Sequence, residues 1–319
     1  MKDLKHEKKK IGVIGVGAVG ATTAFVLTIK NIADEIVLLD HNEARARGEA
    51  LDISHCVPFV SPIVVRAGKY EDLADADIVV ITASVPMLNF TSRLDLLRKN
   101  ISIIREISDG LMKVEFNGII LNVSNPVDIL SYFLYKFTGL PAKKIIGTGT
   151  VLDSARFRYL IGRNCGIDPR SVHAYILGEH GDSEVPVWSQ ANIAGMNLQD
   201  ACCACERKCK KQVFDHIFEE AKVSAYHIIK GKGSTNYAIA MCAMKICKAI
   251  LSDENRVLPV STLLDGYLGI NDMYMSLPTV VNRQGVKKNI MLPLNEKEKA
   301  AFIKSAEILK EEASRHKVD

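Results

Sequence analysis

The glycine pattern Gly15-Val-Gly-Ala-Val-Gly20 restricts the fold of this 319-residue chain more than any other stretch of its sequence. It follows a short apolar run, Ile11 to Val16, and opens an Ala-, Thr- and Leu-rich segment that extends to Lys30. In a strand–turn–helix unit the first glycine permits a tight turn, the second lets the backbone approach a ligand, and the third allows the helix to pack closely on the sheet. The pattern therefore predicts the start of a βαβ unit.

Further apolar, strand-like runs alternate with helical stretches through the N-terminal half of the chain. They lie at Ile36–Leu39, Ile63–Arg66, Asp77–Ala83 and Gly118–Val123. Strands that alternate with helices form a parallel sheet, and ligands bind at the carboxyl ends of such strands. We therefore predict an α/β protein with a Rossmann-type doubly wound parallel sheet over residues 9–149, followed by an α+β substrate domain over residues 150–319.

The C-terminal half mixes helices and strands without this regular alternation. Helices are predicted at Gln212–Lys230 and Thr235–Leu251, and strands at Val257–Val260 and Thr279–Val281. A last helix is predicted to begin at the capping pair Asn295 and Glu298, with Phe302, Ala306 and Leu309 on one apolar face. This mixture is typical of an α+β domain.

An acidic residue, Asp40, ends the second strand twenty residues beyond Gly20. Its carboxylate would accept hydrogen bonds from the ribose hydroxyls of a dinucleotide and would repel a 2′-phosphate. The N-terminus of the first helix would offer free N–H groups to the pyrophosphate. These features predict NAD, rather than NADP, as the cofactor; the alternative is a glycine-rich turn without a ligand.

Two more strand ends point into the same crevice. Thr82-Ala83-Ser84 ends one strand, and Asn122-Val-Ser-Asn125-Pro126 ends another. The Asn125 amide can bond a substrate oxygen or the nicotinamide ribose, although an Asn-Pro turn without a function is equally compatible with the local sequence. The predicted cofactor contacts are Gly15, Val16, Gly17, Ala18, Val19, Gly20, Asp40, Thr82, Ala83, Ser84, Val123 and Asn125.

His180 is the candidate for acid–base chemistry. It follows an apolar, strand-like run, Val172 to Leu177, and lies between Gly178 and Gly181, where the chain must bend. An imidazole on such a turn titrates near neutral pH and suits a general acid or base. The alternative is a surface histidine in a polar loop.

Asp153 and Arg156 share one face of a predicted helix because they are three residues apart. They form either an ordinary helical ion pair or two separate parts of a site. In the second interpretation Asp153 orients His180 and Arg156 binds a substrate carboxylate through a bidentate fork. Arg93, which follows the segment Val85 to Ser92, would polarise a substrate carbonyl from a closing lid, or else be a surface residue.

The composition excludes several other functions. The net charge of +4 comes from 41 basic and 37 acidic residues that are scattered along the chain, so we expect no nucleic-acid partner. No apolar run approaches the roughly 18 residues of a membrane span, and no export signal is recognisable, so we expect a cytoplasmic protein. The eight cysteines should be reduced thiols, and the spacing within Cys202–Cys209 does not fit a zinc site, so no metal is predicted.

Taken together, the motifs resemble the bacterial type of NAD-dependent L-lactate dehydrogenase, in the lactate/malate dehydrogenase superfamily. The matching stretches are Gly15–Gly20, Asp40, Ser92–Leu96, Asn122–Asp128, Val151–Arg156, Gly178–Asp182 and Lys232–Ala238. The resemblance implies that His180 is the proton donor and acceptor, with Asp153 as its partner, and that Arg156 binds the substrate carboxylate. It also implies Arg93 as the lid arginine, Asn125 as a cofactor and substrate contact, and Thr235 as a wall of the substrate pocket.

The lid departs from the pattern of that family. Lactate dehydrogenases usually carry Gln, and malate dehydrogenases Arg, at the position occupied here by Met87. Malate is disfavoured because its second carboxylate would be buried without a counter-charge. Pyruvate is compatible with Met87, because its methyl group needs only an apolar neighbour. The flexible thioether could also accept longer side chains, so the alternative is an L-2-hydroxy acid dehydrogenase for larger 2-oxo acids. A non-catalytic NAD-binding protein would have lost His180, Asp153, Arg156 or Arg93, and none is lost.

Arg158 and His173 match positions through which many bacterial lactate dehydrogenases bind fructose 1,6-bisphosphate between subunits. The resemblance therefore implies an allosteric homotetramer acting in fermentative glycolysis. Two cationic groups from symmetric subunits would form a phosphate site that favours the active tetramer. The alternative is an ordinary pair of surface residues.

Overall fold

The computed structural model describes residues 8–85, 93–198, 200–201 and 211–316. The N-terminal elements are β1 Lys10–Ile14, α1 Ala18–Lys30, β2 Glu35–Leu39, α2 Glu43–Ser54, β3 Val64–Ala67, β4 Ile78–Ile81, α3 Arg93–Lys113, β5 Ile119–Asn122, α4 Val127–Thr138 and β6 Ile145–Gly147. The C-terminal helices are α5 Val151–Cys165, α6 Lys211–Lys232, α7 Tyr237–Leu251 and α8 Glu296–Ser314. The C-terminal strands are β7 Val172–His173, β8 Ile176–Leu177, β9 Val185–Pro186, β10 Asn192–Ile193, β11 Met196–Asn197, β12 Arg256–Asp265, β13 Asn271–Asn282 and β14 Gly285–Asn289.

Six parallel strands lie in the order β3-β2-β1-β4-β5-β6. The sheet grows in one direction from β1 to β3 and in the other from β4 to β6, so a crevice opens where β1 and β4 are neighbours. This arrangement confirms the predicted doubly wound α/β fold. It also brings the carboxyl ends of β1, β4 and β5 to one edge of the sheet.

Three antiparallel strands extend this same sheet beyond β6. β12 pairs with β6 at Ser261 and Gly147, and β13 and β14 follow in turn. The predicted strands Val257–Val260 and Thr279–Val281 are too short, because β12 and β13 have 10 and 12 residues. Pro259 and Pro278 face each other across this pair, and polar Ser261 and Ser276 interrupt its apolar pattern. The three-residue strand β6 was not predicted at all.

Side chains of the central strands point alternately to the two faces of the sheet, and helices cover both faces. On β1, Ile11 and Val13 belong to the core under α1 and α7, whereas Ile14 belongs to the core under α3, α4 and α8. A third cluster, which contains Phe157, joins α5 and α6. No helix within the described residues is long and apolar enough to cross a membrane.

The capping pair predicted for the last helix is confirmed at the start of α8. The Asn295 side chain accepts the Glu298 N–H, and the Glu298 carboxylate accepts the Asn295 N–H, both at 3.0 Å. Phe302, Ala306 and Leu309 are buried along one face, as predicted. Ser305 of α8 accepts the N–H of Glu179 at 3.0 Å, so this helix contacts the turn that carries His180.

The prediction of a single strand from Val172 to Leu177, before His180, is wrong. Val172–His173 pairs with β10 in one small sheet, and Ile176–Leu177 pairs with β9 in another. Two residues between them, Ala174 and Tyr175, carry the chain from one sheet to the other. His180 consequently lies in the loop of the β8–β9 hairpin, beside the isolated pairing of Gly178 with Ser276 of β13.

Candidate active site

The glycine loop between β1 and α1 needs its first and last glycines for packing. Gly15 has a φ of +88°, and a Cβ there would lie 2.6 Å from the Ala83 backbone. A Cβ at Gly20 would collide with the Gly15 carbonyl oxygen. At Gly17, by contrast, a Cβ would meet nothing within 4 Å. The loop therefore presents an open backbone surface at Gly17, which is the cradle that a pyrophosphate requires.

The N-terminus of α1 leaves its first N–H groups without side-chain partners. Gly17 is the N-cap, no side-chain cap is formed, and the first turn contains no acidic residue. Asp40, at the end of β2, accepts the Val16 N–H at 2.8 Å and the Asn42 N–H at 2.9 Å. A carboxylate has further acceptor capacity after these two bonds. The loop, the helix terminus and Asp40 together fit the pyrophosphate and ribose of a dinucleotide.

Hydrogen bonds fix the ends of β4 and β5 beside this loop. The Thr82 hydroxyl donates to the Gly15 carbonyl, and the Ser124 hydroxyl donates to the Ala83 carbonyl at 2.7 Å. Ser84 and Val123 flank these contacts along the chain. The predicted cofactor residues of β1, β4 and β5 are therefore brought together at one edge.

Asn100 of α3 connects the two strand ends, and the sequence analysis did not single it out. Its side chain accepts the Val85 N–H at 3.0 Å and donates to the Asn125 carbonyl at 3.1 Å. The Asn125–Pro126 peptide is cis, and the Asn125 residue is exposed at this edge. The backbone of Asn125 is thus held in place by Asn100, while the residue itself stays exposed.

His180, Asp153 and Arg156 form one connected cluster. Nδ1 of His180 lies 2.6 Å from Oδ2 of Asp153, and the other Asp153 oxygen lies 3.1 Å from an Arg156 nitrogen. The helical ion pair and the contact with His180 therefore coexist, although the sequence analysis treated them as alternatives. The Asp153 side chain is 5% exposed and that of His180 is 26% exposed, so the imidazole, and not its carboxylate partner, can be reached from outside.

Charge and burial set the protonation of this couple. Burial alone would lower the pKa of His180, but the charge and hydrogen bond of Asp153 raise it to about 9. Burial alone would raise the pKa of Asp153, but the imidazolium and Arg156 lower it below its usual value. An ionised Asp153 can only accept, so Nδ1 of His180 carries a proton and Nε2 is the atom available for chemistry.

Two family descriptions match the chain along almost its whole length. The NAD-binding domain of the lactate/malate dehydrogenases matches residues 9–147, and their alpha/beta C-terminal domain matches residues 150–318. The chain belongs to the lactate/malate dehydrogenase family. It is therefore an NAD-dependent oxidoreductase, and residues 9–147 are its NAD-binding part.

Individual members of the lactate/malate dehydrogenase family resemble the chain from end to end. The L-lactate dehydrogenase of Thermoanaerobacter pseudethanolicus is 48% identical over 301 residues, which are 94% of this chain and 97% of that protein. L-lactate dehydrogenase 2 of Bacillus anthracis is 48% identical over 309 residues, or 97% and 98% of the two chains. A crystal structure of a minor L-lactate dehydrogenase from Enterococcus mundtii, in the ligands-bound form, has a TM-score of 0.95 at 38% identity and covers 98% of this chain and 99% of that chain.

Two buried carboxyl groups near His180 were missed by the sequence analysis. Asp128 accepts the His180 backbone N–H at 2.7 Å. Glu184, on the loop between His180 and β9, is 9% exposed, and its Oε1 is buried without a hydrogen-bond partner. Burial, together with the charge of Asp153, raises the pKa of Glu184 to about 8. In the sequence these two residues look like solvent-exposed acids, and only the fold shows that they are buried. The one available signal was that Asp128 lies within the Asn122–Asp128 motif.

Of three other predicted site residues, Thr235 lies within the described part of the chain, whereas the Arg93 side chain and Met87 do not. Thr235 is half-buried in the connection between α6 and α7, whose Asn236 donates to the Thr22 hydroxyl of α1 at 2.9 Å. Arg93 is the first residue of α3, but its side chain lies outside the described part of the structure. Met87 and the lid segment 86–92 also lie outside the described residues, as does the cysteine cluster 202–209.

Within the described part of the chain, no hydrogen bond joins Arg158 to His173. Arg158 is half-buried on α5, where its Nε donates to the Ser154 carbonyl at 3.2 Å, and His173 is exposed on β7. Burial, and then the nearby charge of Arg256, lower the pKa of Arg158. No group of three or more potential metal ligands occurs within the described ranges.

Proposed function

We propose that this chain is an L-lactate dehydrogenase that reversibly reduces pyruvate to L-lactate with NADH. The observation that carries the proposal is the 2.6 Å contact between Nδ1 of His180 and Asp153, which leaves Nε2 of a reachable imidazole free for proton transfer. The names of relatives that are 48% identical over nearly the full chain support the same activity. NADH, when bound, supplies the hydride that reduces the substrate carbonyl carbon.

His180 acts as the general acid during pyruvate reduction and as the general base during lactate oxidation. Its proton goes from Nε2 to the carbonyl oxygen as the carbon is reduced, so the new group is an uncharged hydroxyl rather than an alkoxide. Asp153 stabilises the imidazolium before the transfer and keeps the remaining proton on Nδ1 after it. Arg93 is proposed to polarise the carbonyl in the transition state, the role that the family resemblance implies for it.

Arg156 binds the substrate carboxylate through its planar guanidinium. One of its nitrogens bonds Asp153, which directs the fork and leaves the other donors for the substrate. Asn125 would then bond the substrate oxygen or the nicotinamide ribose, and Thr235 would form a wall of the pocket. We propose that Met87, at the position where the family's lid residue differs between lactate and malate dehydrogenases, sets the length of the substrate side chain that is accepted.

We expect pyruvate to have the highest kcat/KM in a panel with oxaloacetate, 2-oxoisocaproate and phenylpyruvate, measured as NADH oxidation. Met87→Gln should change the ratio of the kcat/KM values for pyruvate and 2-oxoisocaproate by about 10-fold, since one side-chain contact shifts the discrimination between two substrates by ~1–3 kcal/mol. Met112→Gln on α3 is the matched control, because it makes the same exchange away from the lid. If a larger acid is preferred and Met87→Gln reverses that preference, the alternative of a 2-hydroxy acid dehydrogenase for larger substrates replaces ours. Turnover of none of the four would contradict the catalytic proposal.

We also propose a cytoplasmic homotetramer with an NAD-binding domain at residues 9–149, a substrate domain at residues 150–319, and fructose 1,6-bisphosphate as effector at Arg158 and His173. The half-buried position of Arg158 and the like charge of Arg256 nearby support the effector site. A bound phosphate would relieve the repulsion between these two guanidinium groups. His173 of a second subunit would complete the site.

Addition of fructose 1,6-bisphosphate is expected to lower the KM for pyruvate about 5-fold or more and to shift the protein towards tetramers. Steady-state kinetics and sedimentation velocity measure the two effects. Arg158→Gln should abolish both, whereas Arg170→Gln should not, because Arg170 is an exposed residue paired with Asp168. An unchanged KM together with an unchanged assembly state would contradict the effector site.

A further inference from the structure

Glu184 is a buried acid at the end of the loop that carries His180, directly before β9. It is 9% exposed, and its Oε1 is buried without a hydrogen-bond partner. Glu179, in the same loop, differs because its Oε2 accepts both the N–H and the hydroxyl of Ser183. Hydrogen bonds from such donors stabilise an ionised carboxylate. The Oε1 atom of Glu184 has no stabilisation of this kind.

The cations around Glu184 are engaged with other partners. The charged groups that act on its carboxyl are Asp153 and Arg156 of α5, His180 of its own loop, and Lys222 of α6. Arg156 and His180 both bond Asp153. Lys222 donates to the Asp182 carbonyl at 2.7 Å. Among the described residues, none of these cations forms an ion pair with Glu184.

Burial favours the uncharged form of such a carboxyl. A buried carboxylate without a bonded counter-charge is strongly disfavoured, so the group keeps its proton instead. Burial and then the charge of Asp153 raise the pKa of Glu184 to about 8, against the opposing charges of the cations. Glu184 therefore holds a proton at neutral pH, unlike the ionised Asp153 beside it.

We propose that Glu184 is uncharged when the substrate binds, and that the absence of this charge leaves Arg156 to the carboxylate of an anionic substrate. An ionised Glu184 would place a second negative charge near the guanidinium that Asp153 already shares, and it would repel the incoming carboxylate. Release of the Glu184 proton to solvent thereby weakens substrate binding before His180 loses the proton that it transfers. The proposal rests on the proposed function, since it concerns the binding of a 2-oxo acid.

The ionisations of Glu184 and His180 should have different effects on the kinetic constants of the wild type. The KM for pyruvate should rise about 5-fold between pH ~7 and pH ~8.5, because Glu184 ionises in the complex with NADH before pyruvate binds. The kcat should stay nearly constant over the same interval. A bound carboxylate opposes the ionisation of Glu184, and His180 keeps its proton until the pH reaches about 9.

Glu184→Gln is the informative variant, because an amide has the size of the protonated carboxyl and cannot ionise. We expect its KM at pH ~7 to lie within about 2-fold of the wild type, and the rise in KM to move to higher pH by about 0.5 unit or more. An ionised Glu184 would predict the opposite displacement, because the variant would then lose a negative charge that raises the pKa of His180. The direction of the displacement therefore distinguishes the two protonation states.

Glu307→Gln is the matched control, since it makes the same exchange at an exposed acid of α8, and its KM profile should follow the wild type. Lys222→Met provides a second test if Glu184→Gln does not fold. It removes a cation that lowers the pKa of Glu184, so the rise in KM should again move to higher pH. A rise at the wild-type pH or below it in Glu184→Gln, or in Lys222→Met where that is the variant that folds, would overturn the proposal. So would an equal displacement in Glu307→Gln.

Pyruvate reduction by the wild type separates this proposal from the proposed function. If the wild-type protein reduces pyruvate and the rise in KM does not move to higher pH in Glu184→Gln, only the role of Glu184 fails. If the wild-type protein reduces no 2-oxo acid, the proposed function fails, and with it the role of Glu184. Steady-state kinetics of NADH oxidation across the pH range, with kcat and KM determined separately, measure both.

Discussion

Replacing His180 with Gln is expected to lower kcat/KM for pyruvate reduction by about 10³-fold or more, which is near the upper part of the range for loss of a general acid. The amide has a similar reach and can hydrogen-bond, but it cannot give a proton to the carbonyl oxygen. The variant should still bind NADH, because His180 is not part of the glycine loop or Asp40. Initial rates of NADH oxidation and a fluorescence titration with NADH measure the two effects.

The pH dependence provides an independent check of the same residue. Pyruvate reduction needs the imidazolium, so activity should be full below the pKa of His180 and decline as the pH rises through about 9. Lactate oxidation needs the neutral imidazole and should rise over the same interval. The residual rate of His180→Gln should lack both limbs. His55→Gln, an exposed histidine after α2, should keep the wild-type profile, and comparable losses in both variants would contradict the assignment.

Arg156→Lys is expected to lower kcat/KM for pyruvate on the order of 10²-fold, mainly by raising KM. Lysine keeps the positive charge but loses the planar fork that matches a carboxylate, and it has no second nitrogen to direct towards Asp153. Buried, hydrogen-bonded charge pairs depend strongly on such geometry. Steady-state kinetics over a wide range of pyruvate concentrations, with the Kd for NADH as reference, measure this effect.

Arg163→Lys is the matched control for Arg156, because it lies two turns further along α5 and makes an exposed ion pair with Glu220. Its kinetic constants should remain within about 2-fold of the wild type, since exposed ion pairs contribute little. A wild-type KM in Arg156→Lys would contradict the role of carboxylate clamp. A large increase in KM in both variants would show that α5 as a whole, rather than one guanidinium, governs binding.

The sequence predicted the parts of the fold that depend on local patterns. Gly15 and Gly20 were readable because a tight turn and a close helix–sheet approach admit few other residues. The cap at Asn295 was readable because its partner Glu298 is three residues away. The bend at His180 was predicted from its flanking glycines, and the shared helical face of Asp153 and Arg156 from their spacing of three, whereas their roles in a reaction are proposals that came from the family resemblance.

The remaining features depend on contacts between distant parts of the chain. Asp128 lies 52 residues from His180, and no spacing rule connects an acid after a proline to a backbone N–H on another turn. Glu184 looks like a solvated loop acid in the sequence, and only the folded chain buries it, near Asp153 and His180. β12 was underestimated because Pro259 and Ser261 are unusual in strands; Pro259 faces another proline and Ser261 bonds Asp128. β6 was missed because Lys143 and Lys144 precede a run of only three strand residues.

The pairing of β12 with β6 limits how the molecule can move. A cut between residues 149 and 150 would leave β6 with an unpaired edge on one fragment and β12 with the matching edge on the other. Neither fragment would be expected to remain monomeric, because such edges recruit other strands. Because the sheet is continuous across β6 and β12, we expect no hinge opening between the N-terminal and the C-terminal parts of the chain. We therefore expect the strands that carry the glycine loop and the antiparallel strands beyond β6 to move together as one sheet.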